Sequence, residues 1–496
     1  MLTHARPDLL RYGATLPVGT VDPLCGLWGE ASSLVFSRPF AVDEHGALRP
    51  DLVGEHAIDG LRHWLRPRPG VLWHDGEPLT VDDLALSLRL VTDPQYRGAF
   101  KQHIGGVVDV QVDGDAVVVE LERPQPGLLH ALAKTCVVPA HRFTPERLAA
   151  GDLDREPVGT GPYRLVVRSS RVCRLSRHEA FHGGPGAIAE IDMIEVADDE
   201  ERAGALVSGE LDLAQIKAQH VAWVSGTPGL RVHPIQTRVW RALTFNLSHP
   251  LLRDPAVRRG LSQLIDREEI VARALGGHGR PQFYPAPPSS WASPPAPPVT
   301  GRDVGFATLR SAGCERNVEG VWSRDGAELA LTLAYLRTET FRAVASEVIA
   351  EQLTRCGVPV SLVPITWEQY RAMDSTGLRG SEFDGIVVGW SGGVDPYENL
   401  AVRYSSTGAY NRDGYHDDEV DALLDQAVAS ADRKHATALY HRVLEITHRD
   451  SIMAPLVNPE YLFAARDDLT GFEDFEVDSF YEFPQYAHRI RRTAPR

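Results

Sequence analysis

The segment Gly389-Trp390-Ser391-Gly392-Gly393-Val394-Asp395-Pro396 is the best candidate in the chain for ligand contact. Gly389, Ser391 and Gly393 form G-x-S-x-G, the spacing with which α/β-hydrolases hold a serine nucleophile on a sharp strand-to-helix turn. The apolar run 385–389 supplies a strand before the serine, but Asp395-Pro396 stands where the helix should run. None of the 19 histidines is marked as its base. No catalytic residue is assigned, and the chain is not expected to be an enzyme. His130, Cys136 and His141 lie within twelve residues but form neither a helical i,i+4 pair nor HExxH. No metal site and no cofactor is expected. His416 beside Asp417 and Asp418 reads as a helix N-terminus, where carboxylates suit the macrodipole. Phosphate-binding loops, dinucleotide fingerprints and nucleic-acid modules are absent from the sequence.

Composition narrows the class further. The 496 residues carry 67 acidic and 51 basic side chains, a formal charge of −16, which disfavours nucleic acid and anionic membranes as partners. Only Lys101, Lys134, Lys217 and Lys434 are lysines, so a single arginine says little about an anion site. Cys25, Cys136, Cys173, Cys314 and Cys356 are scattered without CxxC spacing, which argues against a disulfide framework or structural zinc. The first eight residues lack the apolar core of a secretory signal. The chain is therefore expected to be cytoplasmic as it stands, and extracytoplasmic if a signal lies upstream.

The elements that must position these residues follow from periodicity. Residues 11–18, 34–40, 62–66 and 71–74 read as short strands separated by turns at 43–46, Pro69-Gly70 and Asp75-Gly76. Thr80 with Asp83 resembles a capping box, and Leu84, Leu88 and Val91 continue at helical spacing. Residues 107–122 alternate around Asp113-Gly114-Asp115, a hairpin signal. Later, a strand at 328–336, a helix from Phe341 to the stop signals Gly357 and Pro359, and a strand at 360–365 imply a right-handed crossover and a parallel sheet. Two amphipathic helices follow, centred on Leu424 and Tyr440, and 281–298 reads as a proline-rich loop. The 389–396 segment leaves its strand at the carboxyl end, where open α/β sheets place ligands.

Five segments in order then carry a resemblance. Leu65-Arg66-Pro67-Arg68-Pro69-Gly70-Val71-Leu72-Trp73-His74-Asp75-Gly76-Glu77-Pro78-Leu79-Thr80 is the most specific, after the lead-in Gly46-Ala47-Leu48-Arg49-Pro50. Val158-Gly159-Thr160-Gly161-Pro162-Tyr163 follows. Next come Phe245-Asn246 with Pro250, Asp254, Val257-Arg258 and Ile265-Asp266-Arg267, and then Asn411 with Tyr415, Val420-Asp421 and Leu424. Together, over about residues 15–465, they resemble family 5 of the bacterial extracellular solute-binding proteins, the oligopeptide-, dipeptide- and nickel-binding receptors of ABC importers.

The resemblance implies an α/β, two-lobed periplasmic-binding-protein-like fold (type II, cluster C) with mixed sheets and an inserted α+β subdomain. Lobe I would hold residues 1–33, 152–246 and 469–496, the inserted subdomain 34–151, and lobe II 247–468. Two chain crossings would form a hinge, and a small polar or amphipathic solute, peptide-like or a modified peptide, would bind in the interlobe cleft for ABC-type uptake. The signature residues themselves read as architectural, with Asp266-Arg267 capping or pairing locally and Pro162 fixing a bend. Ligand contacts are expected from Trp28, Trp240, Asn246, Trp390, Ser391, Gly392, Asp395 and Tyr404. The family's peptide receptors pair the ligand's ammonium with an Asp three residues after the Trp. Here that position is Gly393, so the carboxylate is absent unless Asp395 has replaced it. The expected partners are the small molecule and, if exported, an ABC permease, with no nucleic acid, and the chain is expected to be a monomer. The alternative is a cytoplasmic protein reusing the fold as a ligand sensor, or as an enzyme acting on a peptide-like small molecule.

Overall fold

The computed structural model describes residues 8–24, 29–43, 47–93, 104, 106–125, 127–393, 395–408, 410–430, 432–472, 475–478 and 480–493, without the side chains of 374–376, 391 and 480–482. The chain divides into two compact units, Met1–Gln236 with Tyr461–Arg496, and Thr237–Glu460. The division falls at 236/237 and 460/461 rather than at 246 and 468. The strand Val239–Phe245 sits inside the sheet of the second unit, and Tyr461–Arg466 inside that of the first. Long-range strand pairing decides both, and hydrophobic periodicity is blind to it.

In the first unit an eight-stranded sheet runs in the order Glu476–Val477, Leu230–Thr237, Tyr461–Arg466, Leu213–Ile216, Leu9–Ala14, Glu190–Glu195, Val172–Arg177, Tyr163–Arg168. Leu9–Ala14 pairs in parallel with both its neighbours. Successive side chains feed opposite faces: Leu213, Phe463 and Ala465 enter one core while Ala214, Leu462 and Ala464 enter the other. The helix Asp199–Ser208, capped by Asp198, packs on the second face through Ala203 and Leu206.

Residues 40–137 build a separate core around a four-stranded antiparallel sheet, Val53–Asp59, Arg62–Pro67, Ala116–Leu121 and Val107–Asp113. The expected hairpin and capping box are both present. Residues 71–74 form no strand, only a single bridge from Leu72 to Pro78. The strand expected over 34–40 does not form there: Leu34 and Val35 end a helical turn, Ser32–Val35, and the strand begins only at Phe40. The turn residues 44–46 lie outside the described residues. Cys136, Cys173, Cys314 and Cys356 are buried free thiols.

The signature segments dock on one another. Buried Asp83 takes the Thr80 and Ala140 amides, both at 2.7 Å, and the Trp73 indole N–H at 3.3 Å. His74 straddles the second motif: its Nδ1 accepts from Gly159 N at 3.2 Å and its Nε2 donates to Gly161 O at 3.0 Å. That pairing requires a neutral ring, and burial holds the imidazole down at about 4. A histidine with a lowered folded pKa stabilises above its unfolded value of 6.5, and that stability is lost as pH falls from 6.5 towards 4. Between pH 7 and pH 5 the cost should reach about 2 kcal/mol. Burial also lowers His63, His178, His448 and His488, so urea unfolding should show a loss larger by about that amount in the wild type than in His74→Gln. Equal pH dependence in the two proteins would contradict the assignment.

The second unit is a six-stranded mixed sheet, in the order Gly279–Pro281, Met453–Pro459, Val239–Phe245, Gly385–Ser391, Leu331–Leu336, Val360–Ile365. The helix Thr340–Arg355 makes the expected crossover, and Leu331–Leu336 is parallel to both Val360–Ile365 and Gly385–Ser391. Gly357 ends that helix with φ +87°. The helices Asp418–Ala429 and Arg433–Asp450 follow, and Asp417, next to His416, is the N-cap of the first. Asp266 caps Arg267–Ala274 by accepting from Glu268 N and Glu269 N. Arg267 does not pair with a neighbouring carboxylate but binds backbone carbonyls far along the chain. No described helix is long and apolar enough to cross a membrane.

Candidate functional site

Within the second unit, Gly385–Ser391 is a central strand with apolar residues on both faces: Val387 enters the main core, Ile386 and Val388 a smaller one. Its carboxyl end places Trp390 directly across from Trp240, with ring centroids 4.6 Å apart. The helix Pro396–Tyr404 then begins with Pro at its first turn and Asp395 as N-cap, the carboxylate accepting from Tyr397 N at 2.9 Å. Asp-Pro therefore opens a helix here rather than excluding one, because proline's missing N–H is unneeded in the first turn. Residues 392–395 still separate Ser391 from that helix, so the strand does not turn straight into it as a nucleophile elbow does.

The helix returns its last turn to the strand end. Arg403 lies against the faces of Trp390 (4.8 Å), Trp240 (5.0 Å) and Tyr410 (5.7 Å). Beside it opens a cavity of about 80 Å³. Ile386, Val388, Leu378, Met373 and Met453 form its apolar walls, and Trp390, Arg403, Tyr410, Arg412 and Asp413 its polar side. Arg412 stacks on Tyr410 at 5.2 Å. Asp413 accepts from Leu378 N at 2.9 Å, and burial raises its carboxyl above the usual range.

Few of the residues expected to meet ligand meet here. Trp390 lines the cavity and Trp240 backs it. Asn246 does not: it lies at the other end of its strand, buried, donating to Phe383 O and accepting from Ser248 N. Asp395 is spent on the helix cap. Gly392 is covered by the Asn399 side chain, whose Nδ2 donates to Gly393 O at 2.8 Å. The space a side chain at Gly393 would need is taken by the Glu398 carboxylate. Tyr404 is fully buried against Tyr415, with its phenol pushed well up by burial. Ser391 is placed by its backbone alone, opposite Val239, and Trp28 lies outside the described residues. Arg403, Tyr410, Arg412 and Asp413 went unnoticed in the sequence, where only their closeness to Trp390 along the chain could have marked them. His141, one of the three residues 130, 136 and 141 from which no metal site is expected, bonds to Asp75 at 3.0 Å. Among the described residues no three His, Cys, Asp or Glu side chains converge as a metal site would require.

Comparison with known proteins decides the family. The profile of the bacterial extracellular solute-binding proteins, family 5 (middle region), matches residues 48–411. The chain belongs to that family. Protein XP55 of Streptomyces lividans is 27% identical over 463 residues, covering 91% of this chain and 84% of that protein. The oligopeptide-binding protein AppA of Bacillus subtilis is 23% identical, covering 86% and 81%. The crystal structure of NikZ from Campylobacter jejuni in complex with Ni(L-His) superposes with a TM-score of 0.82 at 22% identity, covering 98% of this chain and 100% of that one. The fold is that of the two-domain periplasmic binding proteins, with several mixed sheets. Family 5 members are extracellular binding proteins by description, and the chain is a solute-binding protein.

Proposed function

We propose that this family 5 member captures a small amphipathic solute, peptide-like in chemistry, and passes it unaltered to an ABC-type importer outside the cytoplasm. The observation that carries the reading is the cavity at the carboxyl end of Gly385–Ser391, walled by Ile386, Val388 and Met453 and edged by Trp390 and Arg403. Apolar walls with a few polar groups suit a ligand that is part greasy and part charged. Relatives named for oligopeptide binding in Bacillus subtilis and glutathione binding in Escherichia coli support a peptide-like class. Gly393 carries no carboxylate of its own, but the Glu398 carboxylate fills the space its side chain would take, so peptides with a free ammonium are tested beside N-blocked ones.

A thermal-shift panel of short peptides, N-blocked peptides, glutathione and nickel–histidine tests this. A binding solute at a hundredfold its Kd should stabilise the protein by about 2.7 kcal/mol. Trp390→Ala should abolish that response while leaving the far-ultraviolet spectrum intact. A panel with no response in the wild type would contradict the proposal.

A further inference from the structure

We infer that the solute must present a carboxylate, which docks on the guanidinium of Arg403 at the inner edge of this cavity. The inference rests on the capture reading and names the charge its ligand carries.

Arg403 is 4% exposed and lines the cavity. Among the described residues it makes one hydrogen bond, from Nη1 to Asn399 O at 2.8 Å, and its buried Nε has no partner. Among the described residues no carboxylate pairs with it. Burial lowers its pKa to about 10, so it is still a cation at neutral pH.

Two of the chain's other buried arginines, Arg258 and Arg267, show what a fully partnered arginine looks like here. Arg267 donates to four backbone carbonyls and to Ser262 Oγ. Arg258 donates to Asp450 O, Ser451 O, Leu252 O and Arg253 O. Every nitrogen of those two guanidiniums has a hydrogen-bond partner, whereas Arg403 Nε has none, a state it shares with Nε and Nη1 of Arg342, which stacks on Trp367 and Tyr370. Three aromatic faces offset part of the cost of burying its charge, yet ring faces cannot accept the in-plane N–H groups. The planar, two-oxygen acceptor that matches such an edge is a carboxylate. Charge agrees: Arg403 and Arg412 against Asp413 leave the cavity wall one positive charge in excess. Asp413 is not the missing partner, since its Oδ1 is taken by Leu378 N and it makes no ion pair with Arg403. The walls of Ile386, Val388 and Met453 would receive the apolar part of the same solute.

The test uses the full chain and matched probes, N-acetyl-leucine and its amide, and benzoate and benzamide, titrated at constant ionic strength by calorimetry and tryptophan fluorescence. Trp240 and Trp390 both touch Arg403 and should report docking. Each acid should bind roughly tenfold to hundredfold tighter than its amide. Arg403→Gln should bring the acid down to the amide's affinity, and Arg403→Lys should keep part of the preference. Because the arginine is unsaturated, Arg403→Gln should not lower the melting temperature of the free protein. Equal binding of acid and amide, or a preference that survives in Arg403→Gln, overturns the inference. A large loss of ligand-free stability in that variant also overturns it, by making Arg403 structural. If neither acid binds while other panel solutes do, the carboxylate inference fails and the capture reading stands. If nothing in panel or probe set binds, both fail.

Discussion

Replacing Arg267 with methionine should lower the unfolding free energy by about 4 kcal/mol. The guanidinium is fully buried, with Nε donating to Gln282 O (3.0 Å) and Pro455 O (2.7 Å), and Nη1 to Ser262 O (3.1 Å) and Ile265 O (3.0 Å). It therefore ties the start of one helix to a loop and to a strand nearly two hundred residues away. Methionine would fill most of the volume but take the guanidinium from four carbonyls, of which Ser262 O keeps the Ile265 amide at 3.4 Å, and each buried acceptor left stranded costs about 1–3 kcal/mol before relaxation. Burial already lowers the guanidinium to about 10, a sign of how dry the site is. Equilibrium unfolding in urea measures the loss. A difference of less than about 1 kcal/mol would mean that water reaches these carbonyls and that the clamp is not what holds the segment.

Gly159→Ala should cost about 3 kcal/mol or more, by a different cause. An added Cβ would fall on the Val35 carbonyl, with its carbon 2.7 Å away, while Gly161 N donates to the same Val35 O at 2.9 Å. Backbone passes against backbone here, and neither side can yield without losing the His74 and Gly161 bonds. The glycines of Val158-Gly159-Thr160-Gly161-Pro162 thus serve close approach. Gly204→Ala is the matched control. It lies inside the helix Asp199–Ser208, and its Cβ would meet only Trp223 at an ordinary 3.6 Å. That change should be neutral or stabilise by about 0.5–1 kcal/mol. Comparable destabilisation by the two substitutions would remove the steric explanation.

These residues also show what the sequence could disclose. Local chemistry was legible: the Thr80 capping box, the Asp113-Gly114-Asp115 hairpin, the Gly357 helix stop and the strand–helix–strand crossover all form as expected. The first three depend on neighbours within a few residues, and the crossover on the single continuous segment 331–365. Long-range pairing was not legible. Val239–Phe245 sits between Met453–Pro459 and Gly385–Ser391, partners more than a hundred residues distant, so the boundary at 246 fell too late. The motif Ile265-Asp266-Arg267 marked an architectural site, but only coordinates show that the arginine reaches Pro455.

The site divides in the same way. Trp390 could be placed from the strand that precedes it. Arg403 could not, because its role depends on a nine-residue helix bringing its last turn back onto the Trp240–Trp390 pair. In a chain with 47 arginines, residue type alone carried no signal. Asn246 shows the converse: its place in the motif suggests a contact, whereas its amide locks a turn at the far end of the strand.

The central claim is that the chain holds a carboxylate-bearing solute without altering it. Native mass spectrometry after incubation with the solute panel, followed by denaturation and analysis of what is released, tests it most directly. One acidic compound per chain, recovered with its mass unchanged, is the expected result. A released compound of altered mass, or a chain that retains no member of the panel, would contradict the account.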